Sequence, residues 1–424
     1  MKLSMHNSYS NRPRIDKSKL AVRVIAFVLT ALMIVGVAYY TIVLMAFNVH
    51  AADSDADTSG DMISVGLMYG DGVTVSYPVT VVGGTNKETG VTVGLQSLVG
   101  KDKKYTPLWT MDSAGFVIAI DGNLSYSAAT SSYVKTENEN DYSVGGYHVE
   151  LLTEFTSFDE AKTFCDTWSS GIADNCGASV FPAYINGEYK VRIGDTPSLE
   201  SAKRIATLVA MYFSDYQSPK IVSPSSTCQT AINPKTNEIV FEFDNGNGDV
   251  LGIKPTDTSK YLKSPADNIY TGVFAFKNYK TAKTEGVSVI NILPLEDYIA
   301  GVLPYEVSNT WPLETLKAFA IAVRSFTVNC FNLHYASYSF DLCSTTHCQA
   351  YRGVAQINKS VKQAVSETKG LVMTYNGKIC TANYSSSVGG VTVGAKDAWG
   401  YSDYPYASAK RTPWEDYYHH ANGF

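Results

Sequence analysis

The sequence predicts an α+β protein with an N-terminal transmembrane helix, a small ferredoxin-like α/β unit and a larger mixed α+β domain around a buried central helix. Three observations predict it. The run 20–47 is almost wholly apolar and long enough to cross a bilayer as a helix. Between 146 and 217 a strand-like alternation followed by a helix start occurs twice. From 293 to 330 two apolar helical patterns flank a short break that holds one carboxylate, Glu306.

Residues 1–19 form a basic tail, with Lys2, Arg12, Arg14, Lys17 and Lys19 set against Asp16. Within 20–47 the only charge is Arg23, and Asp53, Asp55, Asp57 and Asp61 follow it. A basic flank stays in the cytoplasm. The chain is therefore expected in the cell membrane, single-pass, with its bulk outside. Val49-His50-Ala51 also fits a cleavage site. The length of the apolar run favours a retained anchor over a removed signal, and both readings place the working part outside. Residues 48–62 are small and acidic, a linker. In 63–145 the runs VTVSYPVTVV, GVTVGL and GFVIAI alternate between Gly, Asn and Asp, a β-rich segment given no chemistry.

A length of 424 residues leaves room for two or three domains. The net charge of −6 argues against a nucleic-acid partner. Abundant tyrosine (29) with only 17% charged residues suits an extracytoplasmic protein that handles sugar-like surfaces. Seven cysteines cannot all pair within the chain, which leaves one disulfide, a metal site or free thiols.

In 146–217, Tyr147 to Leu152 alternate as a strand and Ser157 caps a helix. A strand at 179–185 follows, then another from Tyr189 to Gly194, and Ser198 opens a second helix. This order is ferredoxin-like. It resembles the SPOR domain, whose closing R-x-G is matched by Arg192 and Gly194. The resemblance implies binding to glycan strands stripped of their peptides; a unit that merely packs is the alternative. Cys165 and Cys176 are candidates for a local disulfide.

In 218–424, a short helix is expected from Leu295 to Leu303, broken by Pro304. Tyr305 to Asn309 would connect it to a second helix that opens at Pro312 and Glu314. Leu316, Phe319, Ala320, Val323, Phe326, Thr327 and Cys330 follow helical spacing, and the other faces are apolar too, so this helix should be buried. Glu306 between the two is a candidate proton donor and acceptor. A helix-capping carboxylate is its bland reading, and an ion-paired structural side chain is that of Arg324.

The segment Val302-Leu303-Pro304-Tyr305-Glu306, the run from Trp311 to Ser325, Cys348-Gln349-Ala350-Tyr351-Arg352-Gly353 and Tyr384-Ser385-Ser386-Ser387-Val388-Gly389-Gly390 come in one order. Together they resemble the stage II sporulation protein D (SpoIID) family, related to the LytB amidase enhancer. Phe319 stands where the family usually has Gln, a departure read here as one of packing. The resemblance implies a lytic transglycosylase of denuded peptidoglycan, acting in sporulation, with Glu306 as its acid. A non-catalytic amidase enhancer or glycan-binding scaffold is the alternative. It further implies that Arg324, Gln349, Tyr351, Tyr384, Ser385, Ser386, Ser387, Gly389 and Gly390 bind the saccharide. The implied partners are glycan strands, the membrane, a wall amidase and other membrane sporulation proteins.

Cys343, His347 and Cys348 lie within six residues, with His334 upstream. Cysteine and neutral histidine are the usual ligands of structural zinc. Some clostridial-type family members bind zinc around this motif, and a Cys343–Cys348 disulfide is the alternative. No cofactor is required for catalysis. The chain stops soon after Pro413-Trp414-Glu415, where family members usually continue, so a C-terminally shortened domain is expected.

Overall fold

The computed structural model describes residues 49–51, 61–82, 90–112, 115–213, 219–400, 404–413 and 415. The expected anchor at 20–47 and most of the linker lie outside the described residues. Among the described residues no helix is long and apolar enough to cross a membrane. The chain divides into two compact units, one of 52–371 with 381–386, the other of 372–380 and 387 onward with the N-terminal residues up to 51.

Among the described residues the larger unit carries two large sheets and a two-stranded ribbon, Leu124–Ser127 with Ser132–Lys135. The first runs Leu342–Cys343, Met62–Met68, Glu285–Pro294, Val273–Lys280, Val250–Pro255, Val91–Gln96, Tyr105–Met111 from edge to edge. Its strand Glu285–Pro294 is buried from Gly286 to Leu293, the polar Ser288 and Asn291 included. The second sheet runs Lys220–Val222, Tyr147–Glu150, Glu188–Thr196, Val180–Ile185, Ile239–Asp244, Gln229–Ile232, Gly115–Ile120, Ser76–Val82, Tyr261–Lys263, Ile269–Tyr270. Strands from 63–145 therefore sit inside sheets built by residues beyond 218.

The first four strands of that second sheet, with helices α1 (Phe158–Cys176) and α2 (Leu199–Tyr212), have the ferredoxin-like strand order. All three internal pairings are antiparallel. Ser157 Oγ accepts from Glu160 N at 3.2 Å, and Gly177, with φ 61°, ends α1. Cys165 and Cys176 both lie on α1, about 16 Å apart along its axis at the α-helical rise. The expected disulfide between them is thus corrected: a rigid helix holds the two thiols apart, and both are free.

Val180–Ile185 also pairs in parallel with Ile239–Asp244, so the ferredoxin-like sheet continues into its neighbour. A sealed charge network crosses this seam. Arg192 binds Glu150 through Nε at 3.0 Å and Glu242 through Nη1 at 2.6 Å. His148 Nδ1 lies 2.7 Å from Gly194 O, and its Nε2 lies 3.0 Å from Glu242 and 3.6 Å from Asp121. A carbonyl and two carboxylates can only accept, so both ring nitrogens carry protons and His148 is an imidazolium. Burial alone would push His148 down, yet Glu242 and Asp121 hold it up at about 10. Burial would raise Glu242, and the charges of His148 and Arg192 instead hold it at about 2.

Helix α3 (Leu295–Glu306) and helix α4 (Leu313–Asn329) follow the first sheet, then the single-turn α5 (Tyr335–Tyr338) and α6 (Lys359–Glu367). Pro304 does not break α3, contrary to expectation. It sits in the last turn, where Val307 N still closes onto Leu303 O at 3.0 Å, so Glu306 is the last helical residue. Gly301 in mid-helix has a packing reason. A Cβ there would meet the Tyr351 ring at 2.6 Å.

Helix α4 is buried at Leu316, Ala320, Ile321, Val323, Arg324, Ser325 and Thr327. It is not buried all round: Phe319, Ala322 and Phe326, on one stripe, stay half-open. The smaller unit holds a hairpin, Leu371–Tyr375 with Lys378–Ile379, turned at Asn376-Gly377 (φ 51° and 76°), the dipeptide that two-residue hairpin turns favour. It also contains α7 (Ala395–Trp399) and a loop whose Val388 and Gly390 N–H groups donate to Glu415.

Candidate active site

Glu306 ends α3 at the edge of a cleft of about 920 Å³ in the larger unit. Its Oε1 accepts the Ala350 N–H at 2.7 Å, which orients the carboxyl group. The Tyr384 hydroxyl also bonds to it, and this phenol is pushed well up, first by burial and then by the negative charge of Glu306. Gln349 Nε2 donates to Tyr384 Oη at 3.2 Å. Gln349 Oε1 in turn accepts from Thr327 Oγ1 at 2.8 Å and Tyr298 Oη at 3.1 Å. Gln349 and Tyr298 are buried, so the chain Tyr298–Gln349–Tyr384–Glu306 runs from the core to the cleft. It can hold a carboxyl group in one place through neutral donors, without cancelling its charge.

The cleft walls are aromatic and hydroxylic: Tyr305, Trp311, Phe319 and Phe326 stand beside Ser308, Thr346, Asn383, Ser385 and Ser386. Ser385 and Ser386 line the cleft. Phe319 packs on the Tyr384 ring, centroids 4.8 Å apart, so its departure from Gln changes the cleft wall rather than the core alone. Trp311, 48% exposed, is a cleft residue the sequence reading left unassigned, although it stands in the quoted motif.

Three expected saccharide contacts are corrected. Arg324 has no exposed surface: Nε and Nη2 grip Glu296 at 2.9 and 2.6 Å, and Nη1 bonds Leu371 O at 3.1 Å. It is the ion-paired structural arginine. Tyr351 is buried with its hydroxyl on Asn291 Oδ1 at 2.7 Å, and Gln349 is 1% exposed, so neither reaches the ligand surface. Tyr384 is half-buried, lines the cleft and bonds to Glu306. Ser387, Gly389 and Gly390 belong to the smaller unit, in the loop held by Glu415.

His334, Cys343, His347 and Cys348 converge, with one donor atom each within 4.8 Å of all the others. His334 Nε2 and His347 Nδ1 lie 3.2 and 3.4 Å from Cys348 Sγ, and His347 Nδ1 lies 3.8 Å from Cys343 Sγ. Both cysteines are free thiols. The hydrogen bond from Cys348, with Thr345 beside it, draws Cys343 down to about 3, so one thiolate is favoured. Two thiols and two imidazoles at this separation suit a four-coordinate closed cation site.

The fold and site define a class: an α+β protein with one cleft carboxylate on a buried hydrogen-bond chain, beside a Cys2His2 cluster. Residues 283–375 match the family model described as SpoIID, stage II sporulation protein. Over these residues the chain is similar to the SpoIID family. It is 33% identical over 179 residues to an uncharacterized protein of Brachyspira hyodysenteriae, covering 40% of this chain and 46% of that one. It is 37% identical over 113 residues to the amidase enhancer of Bacillus subtilis (27% and 15%), and 30% over 176 residues to stage II sporulation protein D of that species (38% and 50%). The chain spans half or less of the length of these curated relatives. The family match does not extend to the ferredoxin-like unit.

Proposed function

We propose that the protein is a lytic transglycosylase of peptidoglycan glycan strands freed of their peptides, working in sporulation from a membrane anchor with its bulk outside the cell. The observation that carries this reading is the single carboxyl group of Glu306, oriented by Ala350 N and Tyr384 in a cleft of aromatic and hydroxyl groups. Hydrolysing glycosidases generally use two carboxylates. A transglycosylase needs one. Protonated Glu306 gives its proton to the leaving glycosidic oxygen as the bond to C1 of the muramic unit breaks. The carboxylate then takes the proton of the 6-hydroxyl as that oxygen closes on C1. The products are a new 4-hydroxyl end and a 1,6-anhydro ring, with no water consumed. Tyr384, held by Gln349, keeps the carboxyl in place for both transfers.

The Cys2His2 donors fit zinc. Held by His334, Cys343, His347 and Cys348, it would cross-link the loop that precedes Gln349 and Ala350, a structural role. Elemental analysis is expected to find one zinc per chain, lost in Cys343→Ser. The ferredoxin-like unit would add a second hold on the glycan strand.

The test is product analysis on amidase-treated peptidoglycan. Anhydro ends are expected with the native protein and none with Glu306→Gln, which still binds strands. Ends released equally by the variant would overturn the assignment. A second reading, enhancer of a wall amidase, rests on the relative of that name. It predicts no anhydro ends and faster peptide release when an amidase is added.

A further inference from the structure

The β-rich segment 63–145, to which the sequence gave no chemistry, reaches the Cys2His2 cluster. Its strand Met62–Met68 pairs in parallel with Leu342–Cys343, Gly66 standing opposite Cys343, and Ser344 N donates to Gly66 O at 3.2 Å. Tyr69 follows that strand and sets its ring against His334, centroids 6.2 Å apart.

A buried ion pair fixes this junction. Asp341, 2% exposed, lies two residues before Cys343 and is bonded through every polar atom it has. Its Oδ2 accepts the Ser64 N–H at 2.9 Å and the Ser64 hydroxyl at 2.7 Å, and faces Lys103 Nζ at 3.1 Å. Its Oδ1 accepts the Asn332 N–H at 3.2 Å, and its main-chain O accepts the His334 N–H at 3.2 Å. Its own N–H donates to Ser64 Oγ at 3.0 Å. One residue thus ties the backbones that present His334 and Cys343 to a strand position 277 residues upstream.

Lys103, 4% exposed, is turned inward against its backbone preference: its φ of 37° lies in a region that L residues rarely adopt. Gln96 Nε2 holds the turn through Lys103 O at 2.5 Å. Asp341 is the ion-pair partner of Lys103 among the described residues. A buried ion pair adds little net stability, because desolvation offsets the attraction. Its place behind two candidate ligands points to positioning, since groups behind metal ligands set ligand orientation and affinity.

We infer that the Lys103–Asp341 pair, locked by Ser64, is the positioning clamp of the Cys2His2 centre, so that the N-terminal β-rich segment is part of that centre. Ser64 and Lys103 lie outside 283–375, the stretch that matches the family model. The inference rests on the zinc reading above and adds the residues that hold two of its donors in place. The loop leaving Cys343 carries Ala350, whose N–H orients Glu306, so the clamp also supports the acid.

Zinc affinity of the full-length protein in detergent is read by competition with a chromophoric chelator. Site geometry is read from the absorption of cobalt(II) bound in its place. The native protein is expected to bind one cobalt with the spectrum of a tetrahedral two-thiolate site. Lys103→Met and Asp341→Asn should each weaken zinc about 10- to 100-fold and distort that spectrum. Each leaves a buried charge unpaired, so the double variant, which leaves none, is the test that keeps the fold. It should show the same loss, and Lys103→Arg should keep most of the native affinity. Arg192→Met lowers stability outside the clamp and should bind zinc as the native protein does. Native affinity and spectrum in the double variant, or an equal loss in Arg192→Met, would overturn the inference and leave the zinc centre standing. A native protein that takes up neither metal would overturn both.

Discussion

Glu242 and Glu306 are both held glutamates, yet they are held in opposite ways. Glu242 has no exposed surface and sits between two cations, His148 at 3.0 Å and Arg192 at 2.6 Å. Glu306 is half-buried, faces a cleft and is held by neutral donors, the Ala350 N–H at 2.7 Å and the Tyr384 phenol. Cations cancel a carboxylate and lock its protonation state, which suits a seam between two sheets. Neutral donors fix its position and bring no opposing charge. The bonding partner, more than the burial, separates the structural Glu242 from Glu306, the acid of the proposed reaction.

Disturbing Glu306 and the cation that holds Glu242 in turn should show a double dissociation. Glu306→Gln is expected to cost about 10²–10⁴-fold in anhydro-end formation with an unchanged melting temperature. Arg192→Met leaves Glu150 and Glu242 buried without their cation, and should cost about 3–5 kcal/mol in denaturant unfolding. The activity of its folded fraction should stay native. A Glu306 variant that melts early, or an Arg192 variant that folds normally but is inactive, would break the comparison.

Tyr384→Phe sharpens it further. It removes one neutral donor from Glu306 and one of the two acceptors of Gln349 Nε2. A loss of about ten- to a hundredfold in kcat with little change in KM is expected, the split of a positioning residue.

Per pH unit, the smallest effect is a slope in stability. His148 is raised in the fold, so its contribution is complete below the unfolded value of 6.5 and is lost as pH climbs through about 10. Unfolding free energy should fall across that window, by at most about 1.4 kcal/mol per pH unit for one proton. His148→Gln should flatten this limb relative to the native protein. Asp195, pushed up to about 6 by burial beside the network, acts below this window.

What could be read early was local. The strand and helix order of 146–217 follows from period and caps at Ser157 and Ser198, and the ferredoxin-like sheet agrees with it. Glu306 stood out because its short motif lies between two helical patterns. Three of the four metal-site donors fall within six residues, and His334 follows close upstream. Chain proximity alone brings such groups near one another.

Other features needed distance in sequence to become contact in space. Asp121, His148, Arg192 and Glu242 come from four separate strands or turns, and no local pattern announces that they meet. Arg324 looked like a ligand contact until Glu296, on the neighbouring helix, claimed its guanidinium. Phe319 and Phe326 match a buried face by spacing, yet the packing leaves their stripe open as the cleft wall. Many of the elements, the position of Glu306 and the candidate metal donors were legible along the chain, because those depend on sequence neighbours. Only the tertiary structure decided which charges are cancelled and which stay available. Compensation of a charge depends on the groups that fold against it.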